Sequence, residues 1–178
     1  IPYRRGKFRS RQMDDVLYEA RMLVASGVKE LIVVAQDTRR YGTDLPGNKR
    51  LLPELLRELC KIEELHWIRV HYLYPDEIDD ELIDVIASEP KIVKYLDIPI
   101  QHASDPVLKR MGRRTNEEEL RCMIGKLRER IPDICLRTTL ISGLPGETEE
   151  EFVQTLEFIR KCGFSAMHVF PYSKRPGT

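Results

Sequence analysis

The chain has 178 residues, enough to bury a core of its own. Its 29 Lys and Arg balance 29 Asp and Glu, and 42% of its residues are hydrophobic. That neutral, ordinary composition gives no electrostatic case for general nucleic-acid or membrane binding, and no apolar run nears the ~20 residues that span a bilayer.

The chain opens at Ile1 without methionine, so a fragment is expected, and no signal-peptide core is seen. Residues 1–11 carry Arg4, Arg5, Lys7, Arg9 and Arg11, which reads as a solvated arm. Met13, Val16, Leu17, Ala20, Leu23 and Val24 share one helical face, so a helix is expected over 13–26, closed by Gly27. Residues 31–35 form an unbroken apolar run, the mark of a buried parallel strand. Leu52, Leu55, Leu56 and Leu59 place a second helix over 51–62.

A strand follows over 66–72, a helix from Pro75 to about Pro90, and a strand over 92–98. Thr115 to Glu118 reads as a capping box opening a helix with Leu120, Met123, Ile124 and Leu127. Residues 134–142 form the next strand. Gly143-Leu144-Pro145-Gly146 turns it into a helix capped by Thr148 and Glu151, and 166–170 is the last strand. Strand and helix alternate throughout, which implies a parallel sheet with right-handed crossovers, in a doubly wound or a barrel arrangement. No G-x-G-x-x-G follows a strand, which weighs against a dinucleotide fold.

Working residues in such folds gather at strand C-termini. Those positions read Gln36-Asp37-Thr38, His71-Tyr72 with Tyr74, Asp97 with Gln101-His102, Thr139 with Ser142-Gly143, and Phe170 to Ser173. Gln36 and Gln101 each donate and accept, which suits a ribose or an amino-acid moiety. Arg113 or Arg114 can fork onto a carboxylate. A glycine at 143 permits close backbone approach by a ligand. Asp37, His71 and His102 raise a second possibility, a metal-dependent barrel hydrolase. A third is a non-catalytic scaffold fragment. Cys60, Cys122, Cys135 and Cys162 stand singly, with no C-x-x-C pair, which fits a reducing cytoplasm and buried thiols.

Gly143-Leu144-Pro145-Gly146-Glu147-Thr148 after Thr139-Leu140-Ile141-Ser142 resembles a motif of the radical S-adenosylmethionine (SAM) superfamily. Val34-Ala35-Gln36-Asp37-Thr38 with Tyr41-Gly42, His71-Tyr72-Leu73-Tyr74-Pro75, and Leu96 to Ser104 resemble its methylthiotransferases. Among these they are nearer to those acting on an aspartate of a small-subunit ribosomal protein than to the tRNA-modifying ones. The resemblance implies an α/β fold: one domain over 1–178, the central part of a (β/α) TIM-like barrel without its first strand. It implies SAM and a four-iron four-sulfur cluster as cofactors, and addition of a methylthio group to an aspartate β-carbon. The family's cysteine triplet lies just before an Ile-Pro-x-x-x-Gly segment, which here is Ile1 to Gly6, so the cluster ligands are absent and the piece alone is expected to be inactive.

Cofactor contacts carried over by the resemblance are Gln36, Tyr72, Gln101, Arg113, Thr139 and Gly143, with no metal ligand and no assigned catalytic residue. Implied partners are the ribosomal protein, and RNA or the ribosome through a C-terminal domain; a cytoplasmic location is expected, with no membrane. A barrel lacking its first strand exposes an edge at residues 31–35, so self-association or marginal stability is expected.

Overall fold

The computed structural model describes residues 6–35 and 37–174. It divides into two compact units, Ile1–Tyr72 with Asp79–Lys94, and Leu73–Ile78 with Tyr95–Thr178. Five strands follow one another across the sheet in chain order.

The first unit opens with α1 (Met13–Ala25), whose Leu17, Ala20 and Val24 are buried. Gly27, at φ +102°, lets the chain leave this helix in a conformation costly to any side chain. Strand β1 (Glu30–Val33) pairs in parallel with β2 (Trp67–Val70), with Ile32 level with Arg69. Between them α2 (Leu52–Cys60) buries Leu52, Leu55, Leu56 and Leu59, the stripe that its spacing predicts. Each such leucine contributes about 1.5–3 kcal/mol through burial.

The expected helix from Pro75 divides. Pro75–Glu77 makes a single 3-10 turn, and α3 (Asp80–Ser88) starts afresh behind Asp79, whose carboxylate accepts from the Leu82 N–H at 3.0 Å. Two lysines seal helix ends. The Lys94 ammonium donates to the carbonyls of Ile86, Ala87 and Glu89 at the end of α3, and Lys91 donates to those of Ile62 and Glu63 beyond α2. A cation there satisfies carbonyls that a helix leaves open and opposes the helix dipole.

Strand β3 (Ile92–Asp97) leads into the second unit, where its Leu96 is level with Leu136 of β4 (Cys135–Ser142). Strand β4 pairs in turn with β5 (Ala166–Pro171). Along β4 the alternation is clear. Leu136, Thr138 and Leu140 are buried, while Arg137, Thr139 and Ile141 are only partly covered. Thr138 survives on the buried row because its hydroxyl donates to the Ile98 carbonyl (2.9 Å) and accepts from the Ile100 N–H (3.3 Å).

A short helix that the pattern did not announce, α4 (Asp105–Arg110), buries Val107 and Leu108. The capping box ahead of α5 (Glu117–Arg130) is shifted one residue from the expected frame. Asn116 is the cap and Glu119 its partner, because asparagine serves as well as threonine and its oxygen meets the Glu119 N–H at 2.8 Å. The box at Thr148 and Glu151 opens α6 (Glu149–Cys162) as expected. Among the described residues no helix is long and apolar enough to cross a membrane.

Candidate functional site

Polar groups gather in the second unit, where β3 and β4 pass into their loops. Gln101 follows β3 and is stitched to β4 by its backbone. Its N–H donates to the Thr139 carbonyl, and its carbonyl accepts from the Ile141 N–H, each at 2.8 Å. This places it beside one other predicted contact, Thr139, on β4. Gln101 has φ +72°, a left-handed conformation that costs a non-glycine residue of order 1–3 kcal/mol. Strain of that size persists where surrounding structure enforces it, and it concentrates at ligand sites.

The same anomaly occurs in the first unit at Tyr72, at the end of β2, with φ +58° and its ring half exposed. The other non-glycine residues with positive φ among those described are Asn48 and Asp133, types that tolerate it. Two of the residues proposed from the sequence are therefore the two whose backbone has no intrinsic reason to be left-handed. Arg113 follows α4, in the partly covered turn after Gly112, with its guanidinium 5.5 Å from the centre of the Tyr74 ring. Gln36 lies outside the described residues.

The turn at Gly143, where close backbone approach by a ligand is expected, has its N–H groups already engaged. Its φ is +79°, and nothing lies within 4 Å of where a Cβ would stand, so conformation rather than protein crowding demands glycine. The N–H groups of Gly143 and Leu144 do not await a ligand. Both donate to Oε2 of Glu147, at 2.6 and 2.9 Å. What the turn leaves exposed is the bare Cα face of Gly143.

Glu147 is itself held from behind. Its Oε1 lies 3.2 Å from Nε2 of His102, whose side chain is buried. The Ser104 N–H donates to Nδ1 of that ring at 3.0 Å, so Nδ1 carries the lone pair and Nε2 carries the proton that Glu147 receives. The Thr155 hydroxyl lies 3.0 Å from Nδ1 and accepts from the Ala103 N–H. Outside, Arg110 donates to the Gly146 carbonyl at 3.2 Å and pairs with Glu151. His102 is thus a neutral strut between two loops. The hydrolase reading loses it as a ligand, and among the described residues no three His, Cys, Asp or Glu converge as a metal set. The four cysteines are free and separate, and burial, then Glu89, pushes the Cys60 thiol up to about 11.

Glu147, Arg137 and His168 escaped the sequence reading. Arg137 interrupts an apolar strand, and its Nη1 lies 2.8 Å from Oδ2 of the buried Asp97, a pairing across 40 residues. A lone charge on a half-covered strand was the available signal. Glu147 stood in view inside the motif, and an acid directly after a glycine turn is the side chain that such a nest of N–H groups attracts.

The sequence matches the radical SAM superfamily over residues 1–159. The chain belongs to this superfamily. A protein of Lachnoclostridium phytofermentans named ribosomal protein uS12 methylthiotransferase RimO is 60% identical over all 178 residues, and the chain spans 40% of that relative's length. Among solved structures, the radical SAM methyltransferase TsrM from Kitasatospora setae, with cobalamin and a [4Fe-4S] cluster bound, aligns with TM-score 0.68 at 18% identity, over 93% of this chain and 31% of that one. Streptococcus suis SuiB bound to S-adenosylmethionine gives 0.67 at 12% identity, over 97% and 36%. At these identities the structures speak for the fold alone, and the fold is the expected one: α/β with a parallel sheet, of the radical SAM type.

Proposed function

We propose that this chain is the central part of a radical SAM methylthiotransferase that modifies an aspartate of ribosomal protein uS12. The observation that carries the reading is 60% identity, without a break in coverage, to a protein of that name. Identity at that level over the whole chain argues for a shared substrate as well as a shared fold.

SAM is the cofactor proposed for these residues. Gln101, Arg113, Thr139 and Gly143 are the proposed contacts in the second unit, and Tyr72 and Gln36 are proposed from the sequence resemblance alone. The strained Gln101 and the uncrowded face of Gly143 are the observations that fit a bound ligand. Gln101 would present an amide that both donates and accepts, Arg113 would meet a carboxylate, and Thr139 would lie beside the sugar. When bound with its cluster, SAM would supply the radical chemistry that hydrogen removal from an unactivated C–H bond needs, and a second SAM would supply the methyl group. The His102–Glu147 strut has the role of keeping the Gly143 turn at one height, since a shift of about 1 Å at such a point costs of order a hundredfold in rate.

The test uses the full-length enzyme, reconstituted anaerobically with iron and sulfide and given SAM, a reductant, uS12 and bulk tRNA. Mass spectrometry should show one methylthio group gained on an aspartate of uS12 and none on bulk tRNA. Modification of tRNA with uS12 untouched would reverse the substrate assignment.

A further inference from the structure

On the half-covered row of β4, Arg137 makes two contacts that together prepare a third group. One terminal nitrogen binds Asp97 at 2.8 Å, and the other lies 2.6 Å from Nδ1 of His168 on β5. A guanidinium only donates, so Nδ1 of His168 is the acceptor and the ring proton sits on Nε2. The ring is held by a second contact, since it lies parallel to Phe170 at 5.3 Å between centres, with 9° between planes. Tautomer and orientation are both set before anything binds.

The charges are ordered from inside to outside. The Asp97 side chain is 6% exposed and that of Arg137 is 27% exposed, while His168 is exposed. The anion therefore lies behind the cation, and the outward groups are donors. His168 is also the ladder partner of Thr139, one strand spacing away, or about 4.8 Å.

We infer that His168 is a specificity-determining residue, its Nε2–H donating to the carboxylate of the target aspartate, with Arg137 and Asp97 as positioning residues. The inference rests on the proposed methylthiotransferase reading and deepens it. In that reaction the carboxyl carbon is bonded to the carbon that loses hydrogen. A carboxylate donor one strand away from the proposed sugar contact is where such a substrate would be gripped. A neutral N–H beside a buried ion pair recognises the acid without demanding that the histidine be charged.

The full-length enzyme tests this with two substrates, uS12 and uS12 whose target aspartate is replaced by asparagine. His168→Ala should lower the aspartate-over-asparagine preference in kcat/KM by about tenfold or more, through KM for uS12, as expected when a hydrogen-bond partner of the substrate is withdrawn. Its SAM affinity should stay within about twofold. His168→Gln, which keeps a donor near Nε2, should retain most of the preference, and His168→Asn should not. In protein labelled with 15N-histidine, His168 should show the proton on Nε2, and Arg137→Ala should release that lock. An unchanged preference in His168→Ala, a parallel loss of SAM affinity, or a proton on Nδ1 overturns the inference and leaves the uS12 assignment standing. A wild-type enzyme that ignores uS12 removes both.

Discussion

The two units secure their loops by different chemistry. In the first, the buried guanidinium of Arg39 meets Oδ2 of Asp79 at 2.5 Å, so a full charge pair ties the 3-10 turn Thr38–Arg40 to the start of α3. In the second, the His102 strut needs no cation. A neutral imidazole donates one hydrogen bond to Glu147, and Glu147 accepts two more from backbone N–H groups. The first device is sensitive to pH at its carboxylate, and the second to the shape of the acceptor. A charge pair can hold a loop at a partly solvated place, whereas a turn that must present a bare glycine face needs its donors answered from within.

The harshest way to break this contrast is Glu147→Ala, which leaves Gly143, Leu144 and His102 without their acceptor. It should lower the stability of the protein by about 3 kcal/mol in urea unfolding, and a loss under about 1 kcal/mol would mean that water replaces the carboxylate. Next come the proposed ligand contacts. Gln101→Ala or Arg113→Ala in the full-length enzyme should weaken SAM binding by about 1.5–3 kcal/mol, read by calorimetry, and unchanged affinity in both would remove those assignments.

Thr138→Val keeps shape while deleting the hydroxyl that serves Ile98 and Ile100. The expected cost is about 1–2 kcal/mol by urea midpoint, smaller than for Glu147 because one carbonyl and one N–H are left rather than a whole network.

The charge pair of the first unit answers to acid instead. Burial works to raise the Asp79 carboxyl, but the hydrogen bond from Arg39, the Leu82 N–H and the Arg39 charge outweigh it and hold it below its usual value. A carboxyl lowered in the folded state stabilises above its unfolded value, about 4, and that stability drains away as pH falls through the folded value. Wild type should therefore lose more stability than Asp79→Asn between about pH 5 and pH 3, in parallel urea titrations. The smallest effect concerns reactivity. With its thiol at about 11, Cys60 should react with iodoacetamide at neutral pH far more slowly than the exposed Cys122, by peptide mapping.

Much of the fold was legible because its signals are local. The leucine stripe of α2, the box at Thr148 and the run ending at Ser142 each depend on neighbours within a turn or a strand. The error at Asn116 was a choice between two adjacent caps. Helix α4 was missed because two buried residues in six carry too little periodicity to detect. The site was legible as a set of strand ends and no further. That Gln101 is left-handed, that His102 serves Glu147 across 45 residues, and that Arg137 reaches both Asp97 and His168 all depend on strand register, which no local pattern reports.

Lys94 has a bearing on that register. Its ammonium has three hydrogens, and three carbonyls at the end of α3 receive them. A slide of β3 by two residues would keep every side chain on its proper face, yet would carry this amine about 6.6 Å out of reach. The lysine therefore works as a ratchet pawl. It resists a displacement that the pleat itself would tolerate, and so holds the start of β3 at one height against the end of α3.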